Sequence, residues 1–208
     1  MSQIDPAGSL PAPKTKRGER TRQKILDAAE REIGVRGFSD ASIATITAEA
    51  KVAQGTFYLY FRSKEDVLRE LVLLMGRRLR HHLTRASAGA PDRLSAERKG
   101  IRAFLQFIRD NPNLYRVVAE SQFVDPSVHR AYYEEFAAGY AAGLKDAERR
   151  GEIAPGHAEV RAWALMGVTD MVGRRYALYD ESVPLDAVAE AAYDFVAHGI
   201  APGRGRHG

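Results

Sequence analysis

The chain has 208 residues, 45% of them hydrophobic and 28% charged, which is ordinary for a globular protein that buries a core. It has no cysteine, which excludes disulfides, thiolate metal sites and cysteine nucleophiles. No apolar run reaches the roughly 18 residues of a membrane span, and the N-terminus lacks the apolar core of a signal peptide, so we expect a cytoplasmic protein.

Charge is distributed unevenly along the chain. Residues 1–80 hold 15 Lys and Arg against 10 Asp and Glu, whereas residues 81–208 hold 16 against 17, which together give the net charge of +4. A basic N-terminal part on a near-neutral remainder predicts a polyanionic partner at one end. Composition alone leaves a solvated basic surface as an equal alternative.

The hydrophobic pattern predicts an all-α fold of about nine helices, with no strand pattern and no internal repeat. Residues 1–16 are interrupted by proline and glycine and are predicted to form a disordered basic tail. The predicted helices span residues 17–36, 43–50, 54–60, 63–83, 95–111, 112–121, 126–150, 157–181 and 185–200.

Capping residues mark the ends of several predicted helices. Gly37 is placed to end the first helix with a positive φ. Ser42 and Asp125 are predicted N-caps, and Ser63 with Asp66 three residues later is close to a capping box.

The second and third helices have the length and spacing of a helix-turn-helix, whose second helix enters the DNA major groove. Phe57 and Phe61 lie four residues apart, so they are predicted to share the inward face that anchors this helix. The polar and aromatic residues left for solvent or DNA are Gln54, Thr56, Tyr58 and Tyr60.

These remaining residues offer groups that DNA can bind. Gln54 is the best candidate for reading a base edge, because an amide binds adenine in a bidentate way. Gly55 has no side chain, so the backbone can approach a phosphate there. The hydroxyls of Tyr58 and Tyr60 can bind phosphate, and Lys64 is expected to place its charge and the positive end of the fourth helix near another.

Basic residues flank this segment on its N-terminal side. Arg20 and Arg22 lie near the start of the first helix and are expected to contact phosphate. For Lys14 and Lys16, a solvated tail stays an equal alternative.

The segment GFSDASIATITAEAKVAQGTFYLYFRSKEDVL resembles the DNA-binding segment of the TetR family of bacterial repressors, across roughly residues 20–70. The family pattern is an apolar helix, a turn, then Gly or Pro, Thr-x-Tyr-x-Tyr/His-Phe and Ser/Asn-Lys-Glu. The residues here that match it are Gly55, Thr56, Tyr58, Tyr60, Phe61, Ser63, Lys64 and Glu65. The resemblance implies DNA contacts from Gln54, Thr56, Tyr58, Tyr60 and Lys64.

Two positions depart from the family pattern. Lys51 stands where the turn usually has glycine, and a positive φ there would cost about 1 kcal/mol more for lysine. Ala53 replaces the usual Ser or Thr cap of the third helix, which removes a capping bond worth about 1 kcal/mol.

The resemblance, which extends to length and helix count, also implies a domain organisation. Residues 17–62 form the helix-turn-helix DNA-binding domain, and residues 63–202 form an effector-binding and dimerisation domain. Within the latter, helix 63–83 is the connector that a bound ligand is expected to move. Residues 203–208 are a tail.

The last two helices are the predicted homodimer interface. RAWALMGVTDMVG is apolar nearly all round, as expected of a helix buried on both sides. The family forms its dimer from these two helices, which implies residues 157–200 here; an ordinary core helix is the alternative. A dimer would read two half-sites of a palindromic double-stranded operator.

Large apolar residues on five helices predict the wall of a ligand cavity, although each alone fits a plain core equally well. The resemblance implies a pocket, because family members are typically released from DNA by a small molecule. The apolar candidates are Phe104, Phe107, Ile108, Tyr115, Val118, Phe123, Phe136, Tyr140, Trp163, Met166 and Met171.

The ligand's polar chemistry is only weakly constrained. Asp170 and Arg174 are four residues apart and are expected to pair with each other. Alternatively, Arg174 and Arg175 could meet a carboxylate or the phosphates of an acyl-CoA. The segments NPNLYRVVAES and GRRYALYDE are similar to those of TetR-type regulators that respond to fatty acyl-CoA or phenylacetyl-CoA thioesters.

Two other classes of function fit the sequence less well. An enzyme is disfavoured, because the six histidines show no metal-ligand or catalytic-triad spacing and no nucleophile elbow is present. No cofactor and no metal are expected. An architectural DNA-binding protein without an effector is the alternative, and a C-terminal domain of over 120 residues argues against it.

Overall fold

The computed structural model describes residues 13–180 and 182–200, and over these it is all-α, as predicted. The parts of the predicted tails at residues 1–12 and 203–208 lie outside the described residues. The helices are α1 (Lys16–Arg36), α2 (Ile43–Ala50), α3 (Gln54–Phe57), α4 (Lys64–Ser87), α5 (Arg93–Asp110), α6 (Pro112–Val124), α7 (Pro126–Arg149), α8 (Ala158–Gly173) and α9 (Leu185–Ile200), with a π-helical segment at Arg174–Tyr179 between the last two.

The predicted caps are confirmed. Gly37 ends α1 with φ 83°. The Ser42 hydroxyl accepts from the Thr45 N–H at 3.0 Å, and the Thr45 hydroxyl accepts from the Ser42 N–H at 3.0 Å. Asp125 accepts from the Val128 N–H at 3.1 Å at the start of α7. Local hydrogen bonding therefore sets where these helices begin and end.

Two predicted helices are shorter than expected. The third ends at Phe57 rather than at residue 60, because the next N–H groups bond three residues back, from Leu59 to Thr56 and from Tyr60 to Phe57. This hydrogen-bond pattern tightens the last turn. The eighth changes from α- to π-helix after Gly173, and Arg109 on α5 donates to the Tyr176 carbonyl inside the widened segment at 2.9 Å.

The first of two compact units comprises residues 13–76 and 112–132. Its core is built from α1, the helix-turn-helix, the first half of α4 and α6, and α1 packs most extensively against α6 and α2. Fully buried side chains of this core include Ile25, Ile33, Ile46, Phe57, Leu68, Leu71, Met75 and Leu114. The presence of α6 in this unit was not predicted.

The second unit comprises residues 77–111 and 133–200. In it α5 packs against α9, α8 and the π-helical segment. Its buried core includes Leu79, Ile101, Leu105, Ile108, Leu144, Leu165 and Val196. The predicted functional boundary at residue 62 is a different division from this packing division, and it stays a prediction.

Candidate DNA-binding surface and effector region

The turn between α2 and α3 has the backbone geometry that its unusual residues imply. Lys51 lies in the left-handed region, with φ 57° and ψ 46°, and the Val52 N–H donates to the Thr47 carbonyl at 3.0 Å. Ala53 makes no side-chain capping bond at the start of α3. The fold therefore tolerates both departures from the family pattern, and Lys51 places a cation in the turn.

Two buried phenylalanines anchor α3 to the core of the first unit. Phe57 is fully buried and Phe61 nearly so, and their ring centroids lie 5.7 Å apart. The predicted inward face is confirmed by this burial. The opposite surface of α3 is thereby held rigidly toward solvent.

The solvent-facing surface of α3 and of the turn after it carries three of the eight predicted DNA-contact residues. Gln54, Gly55 and Tyr58 are exposed, and a Cβ added at Gly55 would meet no atom within 4 Å. Leu59 was not predicted, yet 70% of it is exposed. Its position between two tyrosines, two residues from each buried Phe, is the pattern that could have indicated it.

Thr56 and Tyr60 are only partly exposed. The Thr56 N–H donates to the Ala53 carbonyl at 2.8 Å. The Tyr60 hydroxyl points toward α1, 3.5 Å from where a Cβ on Gly18 would stand. These two residues lie at the border of the exposed surface rather than at its centre.

Of the two arginines predicted to contact phosphate, one is exposed and the other is paired within the protein. Arg20 is exposed at the start of α1. Arg22 pairs with Glu70 on α4 at 3.2 Å, and its guanidinium lies 5.2 Å from the centroid of the Phe61 ring. Arg22 therefore braces α1 against the anchor of α3.

Lys64 has a structural role that the sequence did not indicate. Its ammonium donates to the carbonyls of Phe38 at 2.5 Å and Ala41 at 2.6 Å. It also lies 4.1 Å from the centroid of the Phe38 ring. Two of its three protons are thus used to join the start of α4 to the α1–α2 connection.

Comparison with known proteins finds a family model that matches the segment carrying this surface. Residues 25–71 match the model of the tetR family of bacterial regulatory proteins. The uncharacterized HTH-type transcriptional regulator YdgC of Bacillus subtilis is 45% identical over 56 residues, which are 27% of this chain and 29% of that relative.

Residues 25–71 therefore form a helix-turn-helix segment of the tetR family type.

Solved structures share the fold over most of the chain. The fatty acid degradation regulator FadR of Bacillus halodurans superposes with a TM-score of 0.78 at 21% identity, covering 86% of this chain and 95% of that one. FadR of Bacillus subtilis in complex with stearoyl-CoA gives 0.75 at 21% identity, covering 85% and 98%. At this identity the likeness shows the fold alone.

The residues predicted to line a ligand cavity do not all lie together. Phe107 and Ile108 are buried on α5, and Phe104, Phe136, Tyr140 and Met166 are partly buried in the same unit. Tyr115 and Phe123 lie on α6 in the first unit, and 82% of Phe123 is exposed. Burial depends on which helix packs beside α6, which apolar character alone does not reveal.

A polar cluster lies between α7 and α8. Asp170 and Arg174 pair at 3.3 Å, as predicted from their spacing. Tyr133 stacks on Trp163 with centroids 6.3 Å apart. Burial and the Asp170 charge raise the pKa of Tyr133 to about 12, against the opposing effect of Arg174.

A second polar cluster joins the start of α5 to α7. Arg93 pairs with the buried Glu97 at 2.6 Å and lies 5.0 Å from the Tyr140 ring centroid. The Tyr140 hydroxyl donates to Glu97. Burial, with the Glu97 carboxylate adding to it, raises the pKa of Tyr140 well above its ordinary value. Tyr140, a predicted pocket residue, is thus bonded within this cluster.

None of the helices that the structure describes is long and apolar enough to cross a membrane. Over the same described residues, no group of His, Asp and Glu side chains is arranged to hold a metal ion.

Proposed function

We propose that this chain is a ligand-responsive transcriptional repressor that binds a palindromic operator as a homodimer and is released by a hydrophobic small molecule. The observation that carries the proposal is the exposed surface of α3, with Gln54, Gly55, Tyr58 and Leu59 presented on a helix-turn-helix that matches the tetR model. An amide, a phenol and an aliphatic group suit base edges, phosphate and a thymine methyl, respectively.

The open space at Gly55 supports this reading of the surface. Because no atom of the chain lies within 4 Å of an added Cβ, the fold itself does not require glycine at this position. Close approach of a DNA backbone to α3 would explain the glycine, because any side chain at position 55 would keep the phosphates further from the helix.

The exposed faces of the last two helices support a homodimer. Val160, Trp163, Gly167 and Met171 recur at helical spacing on α8, and all four are exposed. On α9, 70% of Phe195 is exposed. Large apolar groups left exposed in one chain are a common mark of an interface, and a second copy would bury them while spacing two reading heads about 34–36 Å apart.

The effector region of the proposal lies among α5, α7 and α8. The likeness to a FadR in complex with stearoyl-CoA makes fatty acyl-CoA the first ligand class to test. Phe104, Phe107 and Met166 suit an acyl chain, and Arg174 offers a cation to the polar end. Tyr115 and Phe123 are left out of this set because they lie on α6 in the first unit.

DNA reading is tested by fluorescence anisotropy with the duplex upstream of the protein's own gene and a shuffled duplex of equal length, at about 50 and 200 mM salt. The proposal expects a preference for the native duplex of about a thousandfold. Equal and steeply salt-dependent binding to both duplexes would contradict operator reading and favour the architectural alternative.

Two matched variants locate the reading surface. Gly55→Leu is expected to keep the urea midpoint of the parent and to weaken native-duplex binding at least tenfold, since the added side chain fills space reserved for DNA. Gly139→Leu, at an exposed glycine of α7 with no atom near an added Cβ, is the control and should bind as the parent does. Unchanged binding by Gly55→Leu would place the DNA elsewhere.

The effector is tested by thermal melting of the protein–DNA complex with stearoyl-CoA, free CoA and stearate. Stearoyl-CoA should raise the melting temperature of the protein and release the duplex, because a ligand that binds one state better shifts the population toward that state. Stabilisation without release would contradict the proposed mechanism.

A further inference from the structure

The end of α1 is held by two helices that come from elsewhere in the first unit. The Glu120 carboxylate on α6 accepts a hydrogen bond from the Phe38 N–H at 3.2 Å. The Lys64 ammonium on α4 donates a hydrogen bond to the Phe38 carbonyl. Both faces of one short stretch of backbone are therefore bonded to charged side chains. Five residues later the chain enters α2 at Ile43, which leads to the reading helix α3 at Gln54.

The contact between α1 and α6 is also unusually close. A Cβ added at Gly34 would stand 2.6 Å from the backbone Cα of Asn113 and 2.4 Å from its Cβ, so only glycine permits this helix separation. Arg116 on α6 donates to the Gly34 carbonyl at 3.3 Å. Helix α6 therefore contacts α1 at Gly34 and the segment just after α1 at Phe38, four residues further on.

We propose that Glu120 is a positioning residue for operator reading: together with Lys64 it fixes the Phe38 backbone, so that α6 sets the angle at which α2 and α3 leave α1. Hydrogen bonds to charged groups are stronger and more directional than neutral ones, so this pair restrains a connection that carries little other structure. The proposal deepens the proposed function, on which its DNA arm depends.

This restraint would let α6 influence the position of the reading head in addition to the expected movement of α4. The chain passes from one compact unit to the other within α4, between α5 and α6, and within α7. Of these, α6 begins at Pro112 directly after α5, and its Glu120 bonds to Phe38. A displacement of α6 would act on the Phe38 N–H, whereas a displacement of α4 would act on the Phe38 carbonyl through Lys64.

The test compares Glu120→Ala, Glu120→Gln and the control Gln122→Ala, which alters an exposed residue of the same helix. Amide hydrogen exchange of the peptide covering residues 37–50 is read in the free protein, and anisotropy is read with the native and shuffled duplexes. Glu120→Ala should speed that exchange about tenfold and weaken native-duplex binding about tenfold, with the shuffled duplex changed less than twofold.

Glu120→Gln retains an acceptor oxygen for the Phe38 N–H, so exchange and binding should stay within about threefold of the parent protein. Unchanged exchange in Glu120→Ala would overturn the restraint, and this result is independent of DNA. Faster exchange with unchanged native-duplex binding would overturn its role in reading. A Glu120→Gln protein as loose as Glu120→Ala would overturn the hydrogen bond as its cause.

Failure of the proposed function is a separate result. If the parent protein does not distinguish native from shuffled DNA, operator reading fails, whereas the exchange rates still decide whether Glu120 restrains the connection.

Discussion

Single residues of the helix-turn-helix act through the backbone as much as through DNA. Lys51 is the only non-glycine residue with a positive φ in the described ranges, residues 13–180 and 182–200. The left-handed conformation is disfavoured for a residue with a Cβ by about 1–2 kcal/mol. The chain thus accepts strain in a turn where lysine adds positive charge.

Replacing Lys51 separates strain from charge. Lys51→Gly should be more stable than Lys51→Ala by about 1 kcal/mol, because both lose the cation and only glycine relieves the left-handed backbone. The measurement is the urea unfolding midpoint of the two variants at equal slope. An alanine variant as stable as the glycine variant would contradict strain at this turn.

Tyr133 is expected to make stability sensitive to alkaline pH. Burial and the Asp170 charge raise its folded-state pKa to about 12, whereas the ordinary pKa of tyrosine is 10.0. Above pH 10 the unfolded chain therefore loses this proton before the folded chain does, and the free energy of unfolding falls as pH rises toward 12.

This pH effect is checked by comparing the parent with Tyr133→Phe. The urea midpoint of the parent should fall more steeply between about pH 9 and 11.5, since phenylalanine has no proton to lose. An equal fall of the urea midpoint with pH in the two proteins would mean that folding does not raise the pKa of Tyr133. A comparison at about pH 8 separates out the packing effect of the lost hydroxyl.

At the scale of elements, the packing of α8 against α5 restricts which residue can stand at position 173. The backbone of α8 passes so near α5 at Gly173 that an added Cβ would stand 2.6 Å from Ile108 Cδ1 and 3.4 Å from Phe104 Cε1. The π-helical segment begins at the next residue, and Arg109 bonds to it from α5. Such segments are frequent at functional sites.

Gly173→Ala tests this approach. It should lower the free energy of unfolding by up to about 2 kcal/mol, because the strain of displacing the buried Ile108 side chain exceeds the gain in helix propensity. Gly139→Ala on α7, where nothing lies within 4 Å of the added Cβ, should raise stability by up to about 1 kcal/mol through helix propensity. Urea unfolding of both variants gives the answer, and a stabilised Gly173→Ala would contradict the packing.

At the scale of the whole molecule, the exposed apolar faces of α8 and α9 predict the oligomeric state. Val160→Arg combined with Phe195→Arg should convert the proposed dimer to a monomer in sedimentation velocity and weaken operator binding, because charged groups are disfavoured at an interface core. Lys99→Glu, an exposed charge reversal on α5, should leave the dimer intact. A double variant that still sediments as a dimer would move the interface elsewhere.

Much of the fold could be predicted because its determinants are local. The helical spacing of apolar residues, the Ser42 and Asp125 caps and the terminating Gly37 each act within one or two turns. For the same reason the inward placement of Phe57 and Phe61 and the pairing of Asp170 with Arg174 followed from spacing alone. The exposure of Leu59, two residues from each buried Phe, is consistent with the same rule.

What the sequence by itself determined is therefore the all-α architecture, the capped helix ends at Gly37, Ser42 and Asp125, and the family of the DNA-binding segment. Only the tertiary structure decided that α6 packs on α1, that Lys64 and Glu120 hold Phe38 from two sides, and that Phe123 is exposed. These contacts join residues 26, 82 and more positions apart, and such partners depend on how whole helices pack, which no local pattern encodes.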